Sequence, residues 1–176
     1  MGMERELMAE LRLSKEFEGY LNALSKLEEE EEAVIKKAVY AGGGVMADAI
    51  KDALKTLPIQ EGENGLPEMG TSEHPLKGVS RKQKEDLIDS MGTSPIQEFK
   101  KGYISTKIGW DGYGSVKTKK YPKGVPNQML MRSVESGTSF RKKNPVIRKA
   151  VTKNKKATEE KMKDVVIDEM KKIMEG

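Results

Sequence analysis

SVESGTSFRKKNPVIRKA, residues 133–150, places a carboxylate, a run of tiny residues, a cluster of cations and a proline between two elements of the chain. Three kinds of protein could use that order. An enzyme would use Glu135, Ser136 and Thr138. A nucleic-acid binder would use Arg141, Lys142 and Lys143. A structural protein needs only the turn and the helix start. Asn144 is a favoured N-cap and Pro145 a favoured first helical residue, so the stretch predicts a helix beginning there. Gly137 predicts a turn with positive φ just before it. The helix continues through Val146, Ile147, Ala150 and Val151, then Val165, Val166, Met170, Ile173 and Met174, with a polar run over 152–161. Unbroken to Met174, it would be about 45 Å long at 1.5 Å per residue, and its polar middle predicts an arm.

Upstream, GYISTKIGWDGYGSVKTKK (102–120) alternates Tyr103 or Ile104, Thr106, Ile108 and Trp110 ahead of Asp111-Gly112. That pattern predicts a hairpin with a return strand over 115–120. Ser80 predicts the cap of a short helix over 81–90. PIQEGENGLPEMGTSEHPLKGVS (58–80) has no period and is rich in Pro, Gly and polar residues. Order is least expected here, and residues 61–78 are expected to be mobile in a free subunit and to order against a neighbour.

Towards the N-terminus, Leu7, Leu11, Phe17, Leu21 and Leu24 predict an amphipathic helix over 1–24, frayed near Gly19. Ser25 and Glu28 form a capping-box pattern for a second helix. Its apolar face is Ile35, Val39, Val45, Met46, Ala49, Ile50, Ala53, Leu54 and Leu57, and it stops before Pro58. Gly42, Gly43 and Gly44 are expected to interrupt it. Three helical glycines cost about 1 kcal/mol each, which predicts an offsetting close approach by another backbone. A phosphate loop is excluded because no Gly-Lys-Ser/Thr follows. The expected organisation is an N-terminal helical arm (1–32), a core α+β domain (33–151) containing the 58–80 loop, and a C-terminal helical extension (152–176).

Composition narrows the function. Of 176 residues, 36% are hydrophobic, 5% aromatic and 34% charged, so the private core is modest and some apolar surface is expected to meet other chains. Without cysteine there is no disulfide, thiolate metal site or cysteine nucleophile, which points to a reducing compartment. No signal-peptide pattern or long apolar run is present, so a soluble protein with no membrane partner is expected. His74, the single histidine, lies in the loop without a second nitrogen ligand. The Glu28–Glu32 run lacks calcium-loop spacing. No enzyme, metal or cofactor is therefore expected.

Charge is polarised along the chain. Residues 1–32 hold ten acids and four bases, whereas 116–163 hold fifteen bases and three acids. Such poles are either solvated faces, or surfaces for head-to-tail contact between copies or for a polyanion. The basic segment, with Tyr113, Tyr121 and Phe140 interleaved, keeps a basic, nonspecific nucleic-acid-binding protein open as the alternative function. No helix-turn-helix, zinc finger or aromatic sheet motif adds sequence recognition.

Three stretches together resemble the neck or tail-component family of long-tailed bacteriophages, proteins of head-tail joining or tail completion. AVYAGGGVMADAIKDALKTLP (38–58) is similar to that family's first core helix. VPNQMLMRSVESGTS (125–139) is similar to the strand or helix leading to its Glu-x-Gly-Thr turn, and NPVIRKAV (144–151) to the start of its last helix. The resemblance covers residues 33–57 and about 125–151, and the 58–80 segment is longer than the family's usual link.

It implies an α/β fold of the α+β type, with long helices on a small antiparallel sheet, and a homo-oligomeric ring at the head-tail junction of a virion assembled in the host bacterial cytoplasm. Implied partners are portal, adaptor or head-closure proteins on one side and tail terminator or tail tube proteins on the other. The implied structural motif is Gly42, Gly43, Gly44, Glu135, Gly137, Thr138, Asn144, Pro145 and Arg148, the last as a packing or interface cation. Arg141, Lys142, Lys143, Lys155 and Lys156 form the expected basic surface, in nonspecific contact with channel DNA. On this reading Ser136 and Thr138 are not nucleophiles.

Overall fold

Glycine triplets usually end helices, yet in this chain one sits inside the longest helix. The computed structural model describes residues 15–101 and 103–176. Helix α1 runs from Lys15 to Lys55 without a break. The backbone is helical through Gly19, Ser25 and Gly42–Gly44, so neither the expected fraying, the Ser25 helix start nor the glycine interruption occurs. The part of the expected N-terminal helix over 1–14 lies outside the described residues. Continuity is explained by packing. Helix α4, Val146–Glu175, lies antiparallel along α1, with Ala53 near Val146 and Ala150, Gly42 beside Thr158 and Met162, and Lys37 ion-paired to Glu169. Val34, Ala38 and Gly42, spaced four apart, form the buried stripe. A Cβ on Gly42 would lie 2.8 Å from Met162 Sδ, so the close approach is made by side chains of α4 and not, as expected, by a backbone. Both expected domain boundaries, at 32/33 and 151/152, fall inside these continuous helices.

Next to one end of this pair is a small α+β head. Helix α2, Arg81–Asp89, begins as the sequence predicts, with Ser80 Oγ accepting from Gln83 N and Gln83 Oε1 from Ser80 N. Strand β1 (Met91–Thr93) pairs antiparallel with β4 (Ile108–Trp110), and β2 (Gln97–Lys100) with β3 (Tyr103–Ser105). The two pairs are successive parts of one hairpin, joined where Ser94 N donates to the Lys107 carbonyl at 2.7 Å and Thr106 Oγ1 to the Ser94 carbonyl at 2.7 Å. The hairpin therefore turns between Lys100 and Tyr103. Asp111-Gly112 is only a bend, and no strand forms over 115–120. That lysine-rich run offers no apolar face to bury; Ser115 N and Oγ instead bind the Asp86 carboxylate at 2.8 and 2.9 Å.

Helix α3, Asn127–Ser136, closes the head. Leu54, Leu57, Val79, Leu87, Leu130, Met131, Val134 and Val146 make the core, with Trp110 packed on it and its indole N–H donating to the Leu87 carbonyl at 2.9 Å. Both ends of the 58–80 segment are tied to the same core, while residues 63–74 between them are mostly exposed. Ile59 bridges Val79, Leu76 and Val79 are buried, and the Gln60 side chain accepts from Lys77 N at 2.7 Å and Gly78 N at 3.1 Å. Polar side chains replace a ladder there, so the order leaves no hydrophobic period in the sequence.

Candidate functional site

The residues singled out at the turn converge on the junction of α3 and α4. Glu135, in the last turn of α3, is 8% exposed, and its two carboxylate oxygens accept from Ile147 N and Arg148 N, each at 3.0 Å. These are orphan donors at the start of α4, where the helix dipole favours an anion. Glu135, not Asn144, is thus the side chain that caps α4. Asn144 instead ties the turn through its backbone, donating to the Val134 carbonyl at 2.7 Å and accepting from Val146 N at 2.8 Å. Pro145, without a side-chain cap bond, occupies the N-cap position expected at Asn144, so the helix starts one residue later than expected. Arg148 is largely exposed, its Nε 3.7 Å from Glu135 Oε1.

Gly137 lets the chain leave α3. Its φ of 76° and ψ of 169° belong to a region open essentially to glycine, and a Cβ would lie 2.9 Å from Lys143 N. Thr138 N donates to the Arg141 carbonyl at 2.9 Å, and Thr138 Oγ1 accepts from Phe140 N at 3.3 Å. Ser136 and Thr138 are exposed and flank a shallow groove of about 440 Å³ with Gly137, Ser139, Lys142 and Lys143.

Arg141 departs from its expected place on a basic surface. It is 7% exposed, its Nη1 donates to the Gly78 carbonyl, and its Nε has no acceptor among the described residues. Burial lowers the pKa of its guanidinium. Its strand-like neighbours link the turn to the loop: Leu76 N donates to the Phe140 carbonyl at 2.9 Å and Lys142 N to the Leu76 carbonyl at 2.8 Å.

The expected basic surface is accordingly divided. Lys142 and Lys143 are exposed at the groove, whereas Lys155 and Lys156 lie farther along α4, 3.8 and 3.9 Å from Glu159 and Glu160. Gly42 packs on α4, Gly43 faces Thr106, and Gly44 meets nothing within 4 Å among the described residues. Lys117, Lys119, Lys120, Lys123 and Arg132 were not among the expected site residues, yet all are exposed. Their signal was the near absence of acids: between Asp111 and Glu159 the sequence has one, Glu135.

Among the described residues, no group of three or more His, Cys, Asp or Glu could hold a metal ion, and no helix is long and apolar enough to cross a membrane. No protein-family model, curated protein or solved structure matches the chain.

Proposed function

We propose that this chain is a structural protein of the neck of a tailed bacteriophage or phage-derived particle, forming a homo-oligomeric ring that joins portal-side and tail-side proteins. The observation that carries the reading is the use made of the turn over 135–148. Its carboxylate is spent on the start of α4, and Gly137, Asn144 and Arg141 hold the chain path around it. A joint of this kind fixes the direction of a long helix relative to a head, a requirement of a part that must fit repeatedly against copies of itself. Ser136 and Thr138 stay at its rim, and the resemblance assigns this same turn a structural role.

Deleting the gene and imaging the resulting lysate tests the reading. The expected outcome is separate filled heads and finished tails, with joined particles restored by a plasmid copy. Joined, infectious particles formed without the gene would overturn it.

A further inference from the structure

Between Gly112 and Thr158 the chain carries thirteen Lys or Arg and one acid, Glu135. Glu135 is buried beneath the first turn of α4, so the exposed charge of this stretch is positive throughout. Part of it forms one face. Lys117, Lys119, Lys120 and Lys123 are exposed around a turn closed by Thr118 N to the Tyr121 carbonyl at 3.0 Å and Tyr121 N to the Thr118 carbonyl at 3.1 Å. Tyr121 Oη reaches Met129 Sδ, 3.6 Å away, on the exposed side of α3. Arg132 and Ser136 follow on that side at helical spacing, and Ser136 lines the groove with Lys142 and Lys143. The face also has an apolar component, Met129, which is 49% exposed.

The opposite charge lies at the far end of the helix pair. Lys37 opposes Glu169, so α4 runs out near Glu28–Glu32, and these five acids are exposed. Residues 15–40 and 163–175 together hold eleven acids and seven bases. At 1.5 Å per residue, Glu30 is about 35 Å along α1 from Leu54 in the head core, several Debye lengths away, so the two poles of one molecule are screened from each other at physiological salt.

We propose that the basic face over α3 docks the acidic stretch of α1 from a second copy. The acids supply the charge complement, and a helix, unlike a phosphate backbone alone, also covers Met129. The two patches are distinct and distant on one molecule; in the ring proposed above the contact is heterologous and repeats head to tail, closing according to the rotation per copy, whereas a reciprocal two-fold pairing of the same patches would stop at a dimer. This names the subunit contact of the ring proposed above and rests on that reading.

Charge reversal in the full chain tests it. One variant carries Lys119→Glu, Lys120→Glu, Lys142→Glu and Lys143→Glu; the other carries Glu28→Lys, Glu29→Lys, Glu30→Lys and Glu31→Lys. Assembly is followed by analytical ultracentrifugation, and folding by circular dichroism. Wild type should assemble, with the midpoint concentration rising about tenfold or more between about 0.05 and 0.5 M salt. Each variant alone should stay folded and monomeric, and an equimolar mixture should regain assembly because every reversed patch then meets its complement. A mixture that stays monomeric overturns the contact. Variants that each assemble like wild type also overturn it while leaving the ring reading intact, whereas a wild type that is monomeric at every concentration and salt removes both. A short DNA duplex distinguishes the other polyanion: if the lysine variant loses DNA binding and keeps wild-type assembly, the face belongs to nucleic acid and the proposal fails.

Discussion

The head and the helix pair are stabilised in different ways. In the head, short elements are held by a few polar contacts between residues distant in sequence: Glu135 on the α4 N-terminus, Arg141 on the Gly78 carbonyl, Gln60 on Lys77 and Gly78. In the helix pair, long elements pack side by side along their length, with Gly42 of α1 against Thr158 and Met162 of α4, Ala53 beside Val146 and Ala150, and the Lys37–Glu169 ion pair alongside. A head contact at a buried or part-buried group, such as Arg141 or Glu135, has no substitute when lost, because its partner then goes unsatisfied. A pair contact is one of many alike, and its loss is shared along the helices.

Substitutions at glycine and at the cap separate the two regions most clearly. Gly137→Val should lower stability by about 3 kcal/mol, since valine must adopt a glycine-only conformation against Lys143 N. Thermal and denaturant unfolding measure this, and a loss as small as that of an ordinary surface change would dissolve the contrast. Glu135→Ala should follow at about 2–3 kcal/mol, leaving Ile147 N and Arg148 N without an acceptor. Glu135→Gln should lose less because one carbonyl oxygen remains. Hydrogen exchange at Ile147 and Arg148 should rise in the same order.

Within the helix pair, Gly42→Leu should lower stability by about 1–2 kcal/mol: overpacking against Met162 outweighs the gain in helix propensity. Gly44→Ala, with free space, should raise it by up to about 1 kcal/mol. Equal effects at these neighbouring positions would show that α4 does not register on Gly42. The smallest effect expected is one of pH. Lys172 first, and Lys37 next, hold the Glu169 carboxyl below its ordinary range. Its contribution is present above the unfolded-state pKa and is lost as pH falls through the lower folded-state value. Acid titration followed by hydrogen exchange near Ala38 should show an early loosening of the pair that Lys37→Ala makes less pH-dependent.

Some of this was legible residue by residue. Ser80 announced α2 as its cap, and the structure completes a capping box with Gln83, because such a box is satisfied within four residues. The proline-led start of α4 was readable to within one residue, and the α+β class, which the structure shows, was what the family resemblance implied. Asp111-Gly112 misled because a turn dipeptide carries no information on whether the following strand has a face to bury. Ser25-Glu28 misled likewise: a cap pattern inside a helix is outweighed when the preceding turn continues. The joint was legible as a turn with a positive-φ glycine, but Glu135 was hidden, since a lone carboxylate acquires its role from the donors brought to it.

The sequence by itself determined that α2 begins after Ser80, that a long helix begins within one residue of Pro145, that Gly137 is a turn, and that charge divides between the ends of the chain. All of these depend on interactions spanning a few residues or on composition. The tertiary structure alone decided that α4 lies along α1 instead of standing free, that both ends of the 58–80 loop are tied to the core, that Arg141 is buried while Lys142 is exposed, and that Glu135 caps a helix beginning eleven residues later. Each of those depends on which distant backbone groups come within hydrogen-bonding or van der Waals distance, and that is settled only when the whole chain packs.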